Sequence, residues 1–125
     1  MFKRVNINPT GKNTEDCLIR ALAVVMDMSW EKAYMDLCQY GLLIYDMPNS
    51  SATLALYMKD KGYKRAVVSS ECSVCYTIKD FCREYPDGKF IVLTGNHAVA
   101  VVDGDYYDAI DSGFEIPIYY YWKGV

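Results

Sequence analysis

Nowhere in these 125 residues do about 18 apolar residues run together, so the sequence offers no membrane-spanning helix. The opening Met1-Phe2-Lys3-Arg4-Val5-Asn6 has no apolar stretch behind its basic residues, which disfavours a secretory signal. Basic residues are also in short supply. Thirteen Lys and Arg against sixteen Asp and Glu give a formal net charge of -3, and such a chain lacks the broad positive surface that a phosphate backbone requires. The pairs Lys3-Arg4 and Lys64-Arg65 read as solvated surface, and no nucleic acid is expected as partner. Five cysteines (17, 38, 72, 75 and 82) are an odd set, which argues against a disulfide framework. The expectation is free thiols in a reducing, cytoplasmic compartment without membrane association.

What is present is an ordinary globular composition, 52% hydrophobic and 23% charged, of a size that fits one domain over residues 1–125. Residues 1 to 14 are polar and turn-rich and read as a loop. Leu18, Ala21, Leu22, Val25 and Met26 then recur with helical spacing, which predicts a helix over roughly 16 to 28 with Thr14, Glu15 and Asp16 at its start. A second helix follows the cap Ser29, with Trp30, Ala33, Tyr34, Leu37 and Cys38 inward and Gly41 as its end. A third covers about 52 to 61 and stops at Gly62. Tyr63 to Val68 reads as a strand, and Thr77 with Asp80 as the capping pair of a short helix near 78 to 85. Strands are expected at Lys89 to Thr94, His97 to Val102, Tyr106 to Ile110 and Ile116 to Trp122, with Asp103-Gly104 as a hairpin turn. Helices first and strands last predict an α+β domain whose helices pack on an antiparallel sheet.

The chemistry-bearing residues are few. Cys17 falls in the first turn of a helix, where unpaired N–H groups and the helix dipole favour a thiolate. Histidine occurs once, at position 97, between a loop glycine and the apolar run Ala98 to Val102, so its ring is held at a strand end. A thiolate and an imidazole brought together by the fold make a nucleophile and its base. A carboxylate across the hairpin would orient the ring. If the turn is only Asp103-Gly104, Asp108 shares the face of His97; if Asp105 joins the turn, His97 faces Asp111.

Asp16-Cys17-Leu18-Ile19-Arg20-Ala21-Leu22, Asn96-His97-Ala98-Val99-Ala100-Val101 and Tyr107-Asp108-Ala109-Ile110-Asp111-Ser112 together resemble the papain-like cysteine peptidases, especially compact bacterial and phage members. The resemblance covers most of the chain as an order of elements: Cys at a helix start, His opening a strand, Asn or Asp closing the next. It implies a papain-like fold and a cysteine peptidase or amidase without cofactor or metal, acting on a protein or peptide. Cys17 would be nucleophile and His97 base. The third member implied is Asp111, followed by Ser as is common in the family, with Asp108 as alternate. The family's oxyanion-binding Gln before the nucleophile is missing, and Asn13 is the nearest amide that could substitute for it.

Cys72-Ser73-Val74-Cys75 has a spacing shared by zinc and redox sites, but a four-ligand zinc site would have to draw on Cys82 and His97, so packed thiols are the expectation. The loops near 6 to 14, 44 to 51 and 94 to 96 should wall the cleft. Tyr106, Tyr107, Tyr119, Tyr120 and Tyr121 cluster late in the chain; strand alternation puts about half of them inside, and the exposed remainder reads as plain sheet surface or as a protein-binding face. That face supports a second expectation, a papain-like scaffold without catalysis that serves a mobile element as a binding or inhibitor module.

Overall fold

The computed structural model describes residues 1–68 and 76–123. Its elements are β1 (Phe2–Arg4), α1 (Cys17–Val25), α2 (Trp30–Leu43), α3 (Ser51–Asp60), β2 (Lys64–Val67), α4 (Ile78–Glu84), β3 (Lys89–Leu93), β4 (Ala98–Val102), β5 (Asp105–Asp108) and β6 (Tyr119–Trp122). The strands form one six-stranded sheet in the order β1-β5-β4-β3-β6-β2. The protein is thus α+β, as its run of helices followed by strands predicts.

Period-two alternation sorts the sheet's side chains into two cores. Ile91, Leu93, Ala98, Ala100 and Tyr121 face α1, α2 and α3, where they meet Leu22, Leu37, Leu54 and Met58. Phe90, Val92, Val99, Val101 and Tyr106 face the opposite way, against Ile78 and Phe81 of α4. Both faces of the sheet are covered, which is why β3 and β4 read as almost unbroken apolar runs. On the α1 side the two inward residues of β4 are alanines. With Ala21 of α1 also buried there, the helix lies close against β4, and its first residue comes up beside the residue that precedes that strand.

Several expectations change. The antiparallel sheet is in fact mixed, because Phe2–Arg4, read as loop, pairs in parallel with β5 in the register Phe2↔Tyr106, Lys3↔Tyr107 and Arg4↔Asp108. Three residues are too few to show a strand's period, and their pairing partner lies about a hundred positions away. Helix α1 ends at Val25 rather than near 28: Asp27 adopts a left-handed conformation (φ 52°) and the N–H of Met28 reaches back to the Ala23 carbonyl. Gly41 does not end α2, which continues to Leu43. A Cβ at Gly41 would lie 2.6 Å from the Asp46 carbonyl oxygen, so this glycine permits the following loop to fold back on the helix.

Other signals hold. Ser29 Oγ accepts from the Lys32 N–H, and Thr77 and Asp80 form a reciprocal capping box. Gly62 ends α3 with φ 83°. The β4–β5 turn is Asp103-Gly104 alone, both with positive φ (50° and 80°) as a type I′ hairpin turn requires, with Val102 opposite Asp105.

Candidate active site

Cys17 is the first residue of α1, and no side chain caps that helix. The Thr14 hydroxyl does not do so, and the Asp16 carboxylate, although it stands at the cap position, turns elsewhere. The Asp16 side chain thus leaves the first turn uncapped, and the partial positive charge of the helix end beside Cys17 favours an anion.

Cys17, His97 and Ala98 line one cleft, and the His97 ring and the Ala98 N–H both favour the ionised form of the Cys17 thiol. His97 sits in the β3–β4 turn, which the Thr94 N–H closes onto the His97 carbonyl at 2.8 Å. Its Nε2 lies 2.6 Å from Asp108 Oδ2, which leaves Nδ1 as the ring nitrogen available to the thiol. Asp108 is 4% exposed. Its Oδ2 also accepts from Ser112 Oγ at 2.9 Å, and its Oδ1 from the Ala109 N–H at 2.7 Å and Arg20 Nη1 at 3.1 Å.

The charges follow from these contacts. Burial pushes the Cys17 thiol up, but the hydrogen bonds from His97 and Ala98 and the positive charges of His97 and Arg20 outweigh it, leaving the thiol below its ordinary value. His97 is pushed up to about 10, first by its hydrogen bond to Asp108 and then by that to Cys17, against the opposing effect of burial. Asp108, despite its burial, is held below the usual carboxylate range by its bonds and attraction to His97 and by its bonds to Ser112 and Ala109. Both shifts favour the charged forms, thiolate and imidazolium, over the neutral ones.

Asp111, the third member that the family order suggests, does not reach the ring. It accepts from Tyr106 Oη at 2.5 Å and from the Gly113 N–H at 2.9 Å, on the α4 side of the sheet. The two-residue turn decides this, since it sets the register that carries Asp108 to the end of β5 beside the start of β4. Asn13 is exposed on the wall of the cleft, and its side chain makes no hydrogen bond among the described residues.

The cleft at Cys17 has a volume of about 860 Å³. Its walls come from the loops near 6 to 14 (Asn6, Lys12, Asn13), 44 to 51 (Asn49) and 94 to 96 (Gly95, Asn96), together with Ile110 after β5.

Sequence reasoning missed the residues behind the pair. Asp16, 3% exposed, accepts from Arg20 Nε at 2.8 Å, Trp30 Nε1 at 3.0 Å and Asn8 Nδ2 at 3.1 Å, and Arg20 spans from it to Asp108. The available signal was a single arginine in the otherwise uncharged Cys17–Val25, four residues after an aspartate. Of the late tyrosines, Tyr106 and Tyr121 are buried and Tyr107, Tyr119 and Tyr120 half-buried. Cys38 is half-buried, Cys82 is buried with its thiol pushed up by burial, and Cys72 and Cys75 lie outside the described residues.

Among the described residues no group of three or more His, Cys, Asp or Glu side chains is arranged to hold a metal ion, and no helix is long and apolar enough to cross a membrane. No family model matches the chain, and no curated protein or solved structure does either.

Proposed function

We propose that the protein is a thiol-dependent hydrolase of papain-like type, a cysteine peptidase or amidase in which Cys17, His97 and Asp108 carry the reaction. The observation that carries this reading is the convergence of Cys17, His97 and Asp108 on one cleft, with the thiol at the first residue of a helix and His97 Nε2 2.6 Å from a buried carboxylate.

In this mechanism thiolate Cys17 attacks the acyl carbon of a substrate, and its electron pair forms the new carbon–sulfur bond while the carbonyl oxygen takes the negative charge. The Cys17 N–H donates to that oxygen, and Asn13, one of the asparagines on the cleft wall with Asn6, Asn49 and Asn96, is the side-chain amide proposed to join it. Collapse expels the leaving amine, which takes a proton from imidazolium His97 and leaves a thioester. His97, now neutral, removes a proton from water as the water attacks the thioester. The acid departs and the proton on His97 restores the charged pair. Asp108 fixes the ring so that Nδ1 faces the sulfur throughout. The cleft is open and walled by short loops, which suits an extended peptide or a flexible protein tail.

Iodoacetamide, read by mass spectrometry at each cysteine, tests the pair. Cys17 is expected to label first near neutral pH and His97→Ala to slow it, while a peptide-amide or activated-ester substrate leaves an acyl adduct on Cys17. Equal labelling of all five cysteines, indifferent to His97→Ala, would refute the reading.

A further inference from the structure

We infer that Arg20 is a positioning residue of this site, a clamp that carries the geometry of Asp108, and through it of His97, on the same helical turn as the nucleophile. The inference rests on the hydrolase reading of Cys17 and His97 and extends it to a residue whose bonds go to Asp16 and Asp108 rather than to the sulfur.

The argument begins with helix geometry. Arg20 lies three residues after Cys17 and four after Asp16, so all three project from neighbouring positions on one side of the first turn. Its guanidinium is a rigid fork: Nε meets Asp16 at 2.8 Å and Nη1 meets Asp108 at 3.1 Å. The arginine side chain is 16% exposed, and the two carboxylates are 4% and 2% exposed. Two carboxylates so far from water require a shared cation, because an unpaired buried charge is strongly unfavourable. Asp16 is itself pinned by Trp30 at the start of α2 and by Asn8 in the loop before α1, so the clamp has a fixed base.

The groups in contact alternate in sign along the chain of bonds: Asp16, Arg20, Asp108, His97, Cys17. Ser112 and the Ala109 N–H are the only other hydrogen-bond partners of the Asp108 carboxylate among the described residues. Both are uncharged, so Arg20 is the cation that balances Asp108 when His97 gives up its proton during turnover. Without it, the Asp108 carboxylate would keep only His97 as a charged partner, and Asp16 would add uncompensated negative charge one residue from the sulfur.

The test is the pH profile of site-resolved Cys17 alkylation by iodoacetamide in the full chain, with circular dichroism to establish that each variant is folded. Arg20→Gln is expected to move the profile to higher pH by about one unit, which is roughly tenfold slower labelling on its acid limb. Arg20→Lys keeps the charge but cannot bridge both carboxylates as a planar fork, so it is expected to give a smaller shift in the same direction. A purely structural role would lower the unfolding midpoint and leave the profile in place. If Arg20→Gln leaves the profile unmoved while Asp108→Asn moves it, the inference is overturned and the hydrolase reading stands. If wild-type Cys17 labels as an ordinary thiol and His97→Ala changes nothing, the hydrolase reading falls first and takes this inference with it. Should Arg20→Gln not fold, Arg20→Lys decides alone: a shift supports the clamp, and a profile superimposable on wild type overturns it.

Discussion

Asp108→Asn changes one oxygen to nitrogen and should silence the site without emptying it. The carboxylate accepts four hydrogen bonds, two at each oxygen. Arg20 Nη1 and the Ala109 N–H, which share Oδ1, can only donate, so the remaining oxygen of the asparagine must stay with them. The new NH2 then faces His97 Nε2 and Ser112 Oγ. The hydroxyl can turn to accept, but Nε2 can accept only if it carries no proton, which moves the ring proton to Nδ1, against the sulfur. A neutral ring in that tautomer cannot take the proton of Cys17. In proton affinity the change returns His97 from about 10 toward its ordinary 6.5, at most about 3.5 decades or about 5 kcal/mol, of which Cys17 supplies a part. Cys17 alkylation near neutral pH should fall by at least about tenfold, with about three thousandfold as the upper bound set by that difference. Stopped-flow alkylation with thiolate absorbance measures it, and Asp111→Asn, whose carboxylate bonds Tyr106 and Gly113 instead, should leave the rate within about twofold. A slow Asp111→Asn beside a fast Asp108→Asn would refute the tautomer reasoning.

Stability should track the same charges. The folded state holds Asp16 and Asp108 below 3.8, so their contribution is present above that pH and is lost as pH falls through their folded values. It holds protonated His97 up to about 10, so that contribution is complete below 6.5 and is lost as pH rises through about 10. Urea midpoints should therefore show the largest advantage of wild type over His97→Gln between about pH 4 and 6.5, vanishing above about 10; an advantage that grows toward alkaline pH would contradict the assignment. Ala100→Leu inserts three carbons where α1 lies against β4, at a fully buried position, and should cost about 1–3 kcal/mol in urea unfolding while slowing Cys17 alkylation, because the helix that moves carries the sulfur.

The parts of this fold that a reader of the sequence can find are those decided within a few residues. Ser29 and Thr77 cap their helices, Asp103-Gly104 turns its hairpin, and the run from Leu18 to Val25 shows its buried side, because in each case the deciding contact lies within one or two turns of chain. Cys17 and His97 were legible for a related reason: a thiol at a helix mouth and a sole imidazole at a strand edge are local placements, and the fold joins them. Asp108 and Asp111 could not be separated, since the choice depends on whether the hairpin turn holds two residues or three. The parallel pairing of Phe2–Arg4 and the Asp16–Arg20–Asp108 clamp left weaker traces, because both join segments about ninety to a hundred residues apart.

The pairing of the first strand with β5 bears on how the molecule is made. The Val5 N–H bonds the Asp108 carbonyl at 2.8 Å and the Arg4 guanidinium bonds the Ala109 carbonyl, so the backbone beneath the Asp108 carboxylate is tied down by residues about a hundred positions earlier in the chain. A nascent chain presents its sulfur nucleophile to the cell some eighty residues before the imidazole and ninety before the carboxylate that arm it. On the proposed reading, a chain whose synthesis has not yet reached Asp108 carries Cys17 without the groups that would activate it.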